Sequence, residues 1–283
     1  MKKRIIYILL FSVFILPGLF CSEAKYQKRT AIIYAFKAEG ELLRENMDVE
    51  DSLIFCGRTF WMGELEENEV IVVNSGVGMT NSAMTTQLII DEFKPERIIF
   101  TGICGGIDPD NDIGDIVIPE KWATHDYGYY GKDGFLIMPI RVKLPEKEKQ
   151  DTLVFFEVDK GLLDKAEAVV SQAKKRFQKI LDRTPQLKIG GVGVSGNSFI
   201  DQVEKREWLK EKLDAQIVDM ESAAAVQVAK QNGIPILVVR SCSDLAGGSG
   251  SSTAEVEIGE FFKVAADNSA GFVLELLKEL DSF

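Results

Sequence analysis

The chain has 283 residues, 46% hydrophobic and 27% charged, the balance of a globular protein and not of a disordered or fibrous one. Acidic residues outnumber basic ones 44 to 33, and a formal net charge of -11 repels a polyphosphate backbone, which argues against nucleic acid as a partner. Cys21, Cys56, Cys104 and Cys242 show neither close pairing nor metal-ligand spacing, and His125 is the single histidine. No disulfide framework or metal centre is indicated, so the chemistry must rest on carboxylates, hydroxyls and backbone.

The chain begins with a basic head, MKKR, followed at 5–20 by the uncharged apolar run IIYILLFSVFILPGLF, the pattern of an export signal. Ser22 and Ala24 supply the small residues a signal peptidase requires, so cleavage after Ala24 is expected. Cys21 offers lipid attachment instead, although Leu19 and Phe20 are bulky for that signal. An uncleaved anchor is the third route, but the run falls short of the ~20 residues a spanning helix needs. The chain thus divides into 1–24, a signal peptide or N-terminal anchor, and 25–283, the folded domain. Export to the periplasm or cell exterior is expected, with membrane association through the N-terminus if that segment is retained.

Further along, short β-rich runs alternate with helix-like stretches. Strands are predicted at 30–36, 69–76, 96–103, 114–119, 187–196, 216–220 and 235–241. Helices are predicted near 79–93, 160–182, 202–213, 221–232 and 255–280, the fourth closed by Gly233 and Pro235. Several strands are apolar on both faces, which implies an α/β fold in three layers, a largely parallel sheet flanked by helices. Residues 132–159, charged and irregular, read as a surface excursion. In such sheets a ligand sits beyond the carboxyl ends of the strands. KAEGELL, SGVGMTNS, TGICGG, SGNSFI, DMES and SCSDLAGG each follow a strand, so they converge on one rim.

Each of these stretches has a structural explanation beside a functional one. Gly102, Gly105 and Gly106 let backbone N–H groups approach a sugar or anion, yet TGICGG has neither phosphate-loop spacing, and a tight turn explains it as well. Glu39 falls in the first turn of a helix, where the macrodipole favours an acid by ~0.3–1 kcal/mol. Asp219 and Glu221 can cap the helix they precede, and Asp244 can form a turn with its own backbone. His125 reads as a hydrogen-bonded structural histidine, with Tyr127, Tyr129 and Tyr130 as core or interface aromatics.

In order, AFKAEGELL, SGVGMTNSA, TGICGGIDPDNDIGDIVIP, VSGNSFI, IVDMESAAAVQVA and VVRSCSDLAG resemble the purine nucleoside phosphorylase and nucleosidase superfamily. Within it they look most like the methylthioadenosine/S-adenosylhomocysteine nucleosidases, over nearly all of residues 29–280. The resemblance implies a twisted mixed sheet, a homodimer, a small-molecule nucleoside substrate, no cofactor and no metal. It also implies that Glu39 activates water, Asp244 protonates the departing purine, and Met220 and Glu221 hold the ribose. Phe199 would stack on the base with the Ile200 backbone at its edge, and Val77, Gly105 and Ser243 would complete the substrate site.

The residue types suit the implied reaction, hydrolysis of the N-glycosidic bond of adenine nucleosides such as 5′-methylthioadenosine or S-adenosylhomocysteine. That bond breaks through an oxocarbenium-like sugar and needs an acid on the purine and a base for water. To be protonated near neutrality, Asp244 needs its pKa raised by desolvation or a neighbouring acid. Ile103 and Cys104 stand where nucleosidases more often carry small residues, and Asp219 stands where Glu is common. The aromatic expected near the 5′ substituent has no clear counterpart, Ile258 being nearest by position with Phe261 and Phe262 following. Methylthio, homocysteinyl, deoxy and hydroxyl substituents therefore all remain open. Two alternatives stand beside hydrolysis: a phosphorolytic enzyme, although no arginine-bearing loop follows YAFKAEG, and a non-catalytic exported nucleoside-binding protein, which would need no paired acid and base.

Overall fold

The computed structural model describes residues 29–280, so the 1–24 segment and the export reading lie outside the described residues. The chain enters as β1 (Thr30–Tyr34), α1 (Lys37–Asn46), the hairpin β2 (Asp48–Phe55) and β3 (Arg58–Leu65), then β4 (Asn68–Asn74), α2 (Met79–Phe93) and the long β5 (Arg97–Gly106). Short strands follow: β6 (Ile116–Ile118), β7 (Lys121–Thr124), β8 (Gly128–Gly131), β9 (Gly134–Ile137), β10 (Ile140–Val142), β11 (Asp151–Leu153) and β12 (Phe155–Glu157). The rest is α3 (Lys160–Ala168), α4 (Val170–Ala173), β13 (Leu187–Ile189), β14 (Val192–Ser195), α5 (Val203–Leu213), β15 (Ala215–Asp219), α6 (Ser222–Asn232), β16 (Ile236–Asp244) and α7 (Ala254–Glu279).

One mixed sheet organises the molecule, in the order β12-β7-β14-β15-β5-β1-β4-β3-β2, with β16 pairing β5 and β6, and β13 pairing β6. The central pairs β1–β4, β1–β5 and β16–β5 are parallel, as the two-sided apolar runs require. Helices α1 and α7 pack on one another, with α7 lying along β5 and β16, while α2 and α6 form a second pair. Ile32, Ile33, Val72, Ile98, Ile99, Val238 and Val239 are buried in the sheet, and Phe272, Leu276 and Leu277 of α7 close over the same core.

The feature that positions the site is a split along one edge of β5. β1 pairs with Arg97–Phe100, whereas β15 pairs antiparallel with Gly105 and Gly106. Between them, Thr101–Cys104 lose their ladder partner on that edge, and strand order changes there, which is where α/β sheets place ligands.

Several predicted elements change shape. The 187–196 strand breaks at Gly190 and Gly191, with φ of +98° and +76°, so β13 serves β6 while β14 serves β7 and β15. The 160–182 helix stops at Ala173. Asn268 of α7 accepts from Gln178 N at 2.7 Å and donates to Gln178 O at 3.0 Å, giving that backbone partners outside a helix. The 132–159 excursion is more ordered than predicted: it contributes β9, which pairs with the preceding β8, the β10–β11 ribbon, and β12 of the main sheet. Tyr127, Tyr129 and Tyr130 lie exposed on and before the first ribbon and not in the core. His125 is buried, but neither ring nitrogen has a hydrogen-bond partner among the described residues, contrary to expectation.

Candidate active site

At the split in β5 lies a cavity of about 190 Å³ lined by Glu39, Val77, Gly105, Phe199, Met220, Glu221, Ser243 and Asp244, together with Ala35, Phe36, Ile103, Cys104, Val218, Asp219 and Ile258. Every predicted site residue lines it except Ile200, whose expected role runs through its backbone. Its side chain turns away, is buried among Val192, Val194 and Leu209, and lines a larger cavity of about 490 Å³ beside His125 and Trp208. The Phe199 and Ile200 side chains thus line different cavities, and the backbone role expected of Ile200 does not depend on where its side chain points.

Glu39 reaches the split from the first turn of α1. Its Oε2 accepts from Ala35 N at 2.6 Å and Phe36 N at 3.3 Å, the reciprocal arm of a helix-start motif. Its Oε1 crosses to the unladdered Ile103 N at 2.8 Å. One side chain thus caps the start of α1 and also lines the cavity. Burial pushes the Glu39 pKa above the usual carboxylate range, against the pull of Arg240 and these three N–H groups.

Asp219 and Glu221 divide the two roles proposed for them. Asp219 Oδ1 accepts from Glu221 N at 3.2 Å and Ser222 N at 3.1 Å, capping α6, and Asp219 Oδ2 pairs with Arg240 Nε at 2.8 Å. Glu221 caps nothing with its side chain: its Oε1 accepts from Gly78 N at 2.8 Å across the cavity mouth. Burial foremost, then the charge of Asp219, lifts Glu221 to about 7. Ser82 Oγ, bonded to Glu221 O at 3.0 Å, ties α2 to the same corner.

Asp244 ends β16 and is 2% exposed. Ala246 N donates to its Oδ1 at 2.9 Å, and the Ser243 hydroxyl lies 2.9 Å from its Oδ2 and 3.3 Å from Cys104 O. One hydroxyl proton cannot serve both acceptors. With Asp244 protonated, its O–H donates to Ser243 and Ser243 donates to the carbonyl, which satisfies all three groups. Burial raises the Asp244 pKa to about 7, helped by the charges of Glu257 and Asp201 and opposed by the Ala246 and Ser243 hydrogen bonds.

The residue that sequence reasoning missed is Arg240, fully buried in the middle of β16. Its guanidinium lies 2.8 Å from Asp219, 3.5 Å from Glu39 and 3.8 Å from Glu221, bonds Ser222 Oγ at 2.8 Å, and stacks over Phe100. The signal was an arginine inside an apolar run, since a charge is almost never fully buried without partners. The glycines of TGICGG are explained by the same packing. They belong to β5 and not to a turn: a Cβ on Gly102 would sit 2.0 Å from Arg240 Nη1 and 2.3 Å from Glu39 Oε1, and one on Gly105 would sit 2.9 Å from Asp244 Oδ1. The two carboxyls thus pack on strand positions three residues apart, about 10 Å along β5.

A split α/β sheet with buried carboxyls at separated points of a small cavity defines an enzyme class that does acid–base work on a small ligand. The chain belongs to the phosphorylase superfamily, whose model matches residues 29–278. It is 33% identical over 256 residues to the 5′-methylthioadenosine/S-adenosylhomocysteine nucleosidase of Listeria monocytogenes serovar 1/2a, covering 88% of this chain and 98% of that protein. It is also 33% identical over 232 residues to the enzyme of the same name from Marinomonas sp. strain MWYL1, covering 82% and 90%. Among solved structures, the Helicobacter pylori 5′-methylthioadenosine/S-adenosylhomocysteine nucleosidase with butyl-thio-DADMe-Immucillin-A superposes with a TM-score of 0.74 at 26% identity, over 90% of this chain and 100% of that one. Futalosine hydrolase of H. pylori gives 0.74 at 27% identity, over 90% and 98%.

Proposed function

We propose that this protein hydrolyses the N-glycosidic bond of 5′-substituted adenine nucleosides, 5′-methylthioadenosine and S-adenosylhomocysteine among them, releasing adenine and the 5-substituted ribose. The observation that carries the reading is the pairing, in one cavity, of Asp244, which holds its proton to about 7, with Glu39, which is set against Arg240 and three N–H donors. Asp244 gives its proton to a purine ring nitrogen as the C1′–N electron pair leaves with the base. Glu39 takes a proton from the water whose oxygen joins C1′, and Glu221, beside Met220, accepts from the ribose hydroxyls. Each positioned proton transfer contributes about 10²–10⁴-fold, and carboxylates around the sugar favour its developing positive charge. Phe199, half-exposed at the mouth, provides the stacking face for the base.

Phosphorolysis is disfavoured because no lysine or arginine is among the described residues lining the cavity, and four carboxyls are. An apolar cluster of Phe36, Ile103, Ile258 and Phe262 adjoins the cavity, and a 5′ substituent directed towards it would be better matched as a thioalkyl group than as a hydroxyl. Phe36, which lines the cavity and lies with its ring centroid 6.5 Å from that of Phe262, is a candidate for the aromatic expected near the 5′ substituent, whereas Phe261 lines a neighbouring cavity. The apolar run at 5–20 supports export, and the exposed Tyr129, Tyr130 and Leu136 support a homodimer contact through the β8–β9 ribbon.

The test is a panel of methylthioadenosine, S-adenosylhomocysteine, adenosine and inosine, with adenine or hypoxanthine detected with and without phosphate. Adenine release from the thionucleosides in phosphate-free buffer is expected. Strict phosphate dependence would establish a phosphorylase, and tight binding without release a nucleoside binder.

A further inference from the structure

We infer that Glu257 is a positioning residue for Asp244, clamping the 245–249 turn that carries the proton donor's own hydrogen-bond partner. The inference rests on the hydrolytic reading above. Glu257 sits in the first turn of α7 and is 2% exposed. Both of its carboxylate oxygens are spent on backbone N–H groups of that turn: Oε2 accepts from Leu245 N at 3.0 Å and Oε1 from Ser249 N at 2.8 Å. Leu245 directly follows Asp244, and the next N–H, that of Ala246, is the one that donates to Asp244 Oδ1.

The carbonyls of the turn are held from the other side. Arg206 Nη1 donates to Leu245 O at 2.9 Å and to Gly248 O at 3.3 Å, while its Nε donates to Ile107 O at 3.3 Å. An anion thus gathers the N–H groups and a cation gathers the carbonyls, each through charge-assisted bonds of about twice the strength of neutral ones. Glu257 is not needed as the helix cap. Thr253 accepts from Val256 N at 3.3 Å, and Asp201 takes Ala254 N at 2.8 Å. A turn containing Gly247 and Gly248 at φ of +124° and +83° has ample freedom to wander without such a clamp.

The clamp also carries charge. Burial most of all raises the Asp244 pKa, the Ala246 N–H and the Ser243 hydroxyl lower it, and the nearby charges of Glu257 from α7 and Asp201 from the segment before α5 raise it further. Glu257 therefore fixes where the donor points and favours its protonated form. A residue that only stiffened the fold would do neither.

The experiment compares kcat and KM for methylthioadenosine across pH in the wild type, Glu257→Gln and Glu257→Asp. In Glu257→Gln the alkaline limb of kcat moves to lower pH, so the loss at pH 8 exceeds the loss at pH 6 by at least about twofold, with KM little changed. Glu257→Asp keeps the charge but reaches fewer N–H groups, so its kcat falls while the limb stays in place. A Glu257→Gln limb at the wild-type pH, or a change confined to KM, would overturn the inference. Wild-type kcat in Glu257→Asp would do the same, and this arm decides the matter if Glu257→Gln does not fold. A wild-type protein that releases no adenine would sink the hydrolytic reading instead, a result separate from any of these.

Discussion

The proton that Asp244 is proposed to donate is also a stability penalty, and Asp244→Asn exposes both. The folded-state pKa, about 7, lies above the ordinary 3.8. The native state therefore binds this proton more tightly than the unfolded chain, and stability falls as pH rises from about 4 to about 7, then levels off. A shift of about three units is worth about 4 kcal/mol at pH 8, while at pH 5, where only the unfolded chain has ionised, the cost is about 2 kcal/mol. Asparagine keeps the oxygen that Ala246 N requires and presents an N–H to Ser243, so it removes the titration without removing the shape. Asp244→Asn should thus be more stable than the wild type, by about 2 kcal/mol more at pH 8 than at pH 5, or roughly 5 °C in Tm, while adenine release falls about 10²–10⁴-fold. Thermal melts at the two pH values and single-turnover adenine assays measure both quantities. A Tm change equal at pH 5 and pH 8, or a destabilised variant, would refute the argument that burial holds this proton in place.

Arg240→Met should lower the unfolding free energy by about 3–5 kcal/mol, because it strands Asp219, Glu39 and Glu221 without their cation. The loss should shrink between pH 8 and pH 6 as Glu221, at about 7, takes up a proton, which urea titrations at the two pH values would read. Glu39→Gln should lower kcat about 10²–10⁴-fold and abolish the acid limb of the pH profile, which burial places above the ordinary glutamate range. A kcat within about tenfold of the wild type would remove Glu39 as the base.

The rim of the sheet was legible in the sequence because the continuous apolar runs end abruptly at polar or glycine-bearing residues, and topology brings those ends together whatever the loops do. What each acid does there was not legible. Asp219 and Glu221, two residues apart, are equally good caps by composition. Only the pairing of Asp219 with Arg240, 21 residues further on, leaves Glu221 free to cross to Gly78. The β2–β3 hairpin escaped for a different reason. Its two-residue turn places Cys56 and Gly57 at φ of +48° and +72°, and a cysteine in the left-handed region gives none of the usual Asn-Gly or Asp-Gly signal. The break at Gly190–Gly191 is missed by a single strand over 187–196, because nothing local says that the halves pair with different neighbours.

A site whose charged lining residues are all acids has to keep some of them charged and others neutral, and Arg240, placed off-centre behind the lining, does that here. Arg240 makes its shortest carboxylate contact with Asp219, which is spent on capping α6, and longer ones with Glu39 and Glu221. Asp244 has no such contact among the described residues: its neighbours there are hydroxyl, N–H and the further acids Glu257 and Asp201. The guanidinium favours the ionised form on the Glu39 side of the cavity, where a base is needed. Its absence on the Asp244 side, together with burial, leaves the proton where an acid is needed. The glycines of β5 are what make the asymmetry possible, since a side chain at Gly102 would occupy the space in which Arg240 and Glu39 meet. Replacing Gly102 by alanine would therefore disturb Glu39, the proposed base, and leave the Asp244 end of the cavity intact, so the two halves of the proposed acid–base pair are separable by mutation.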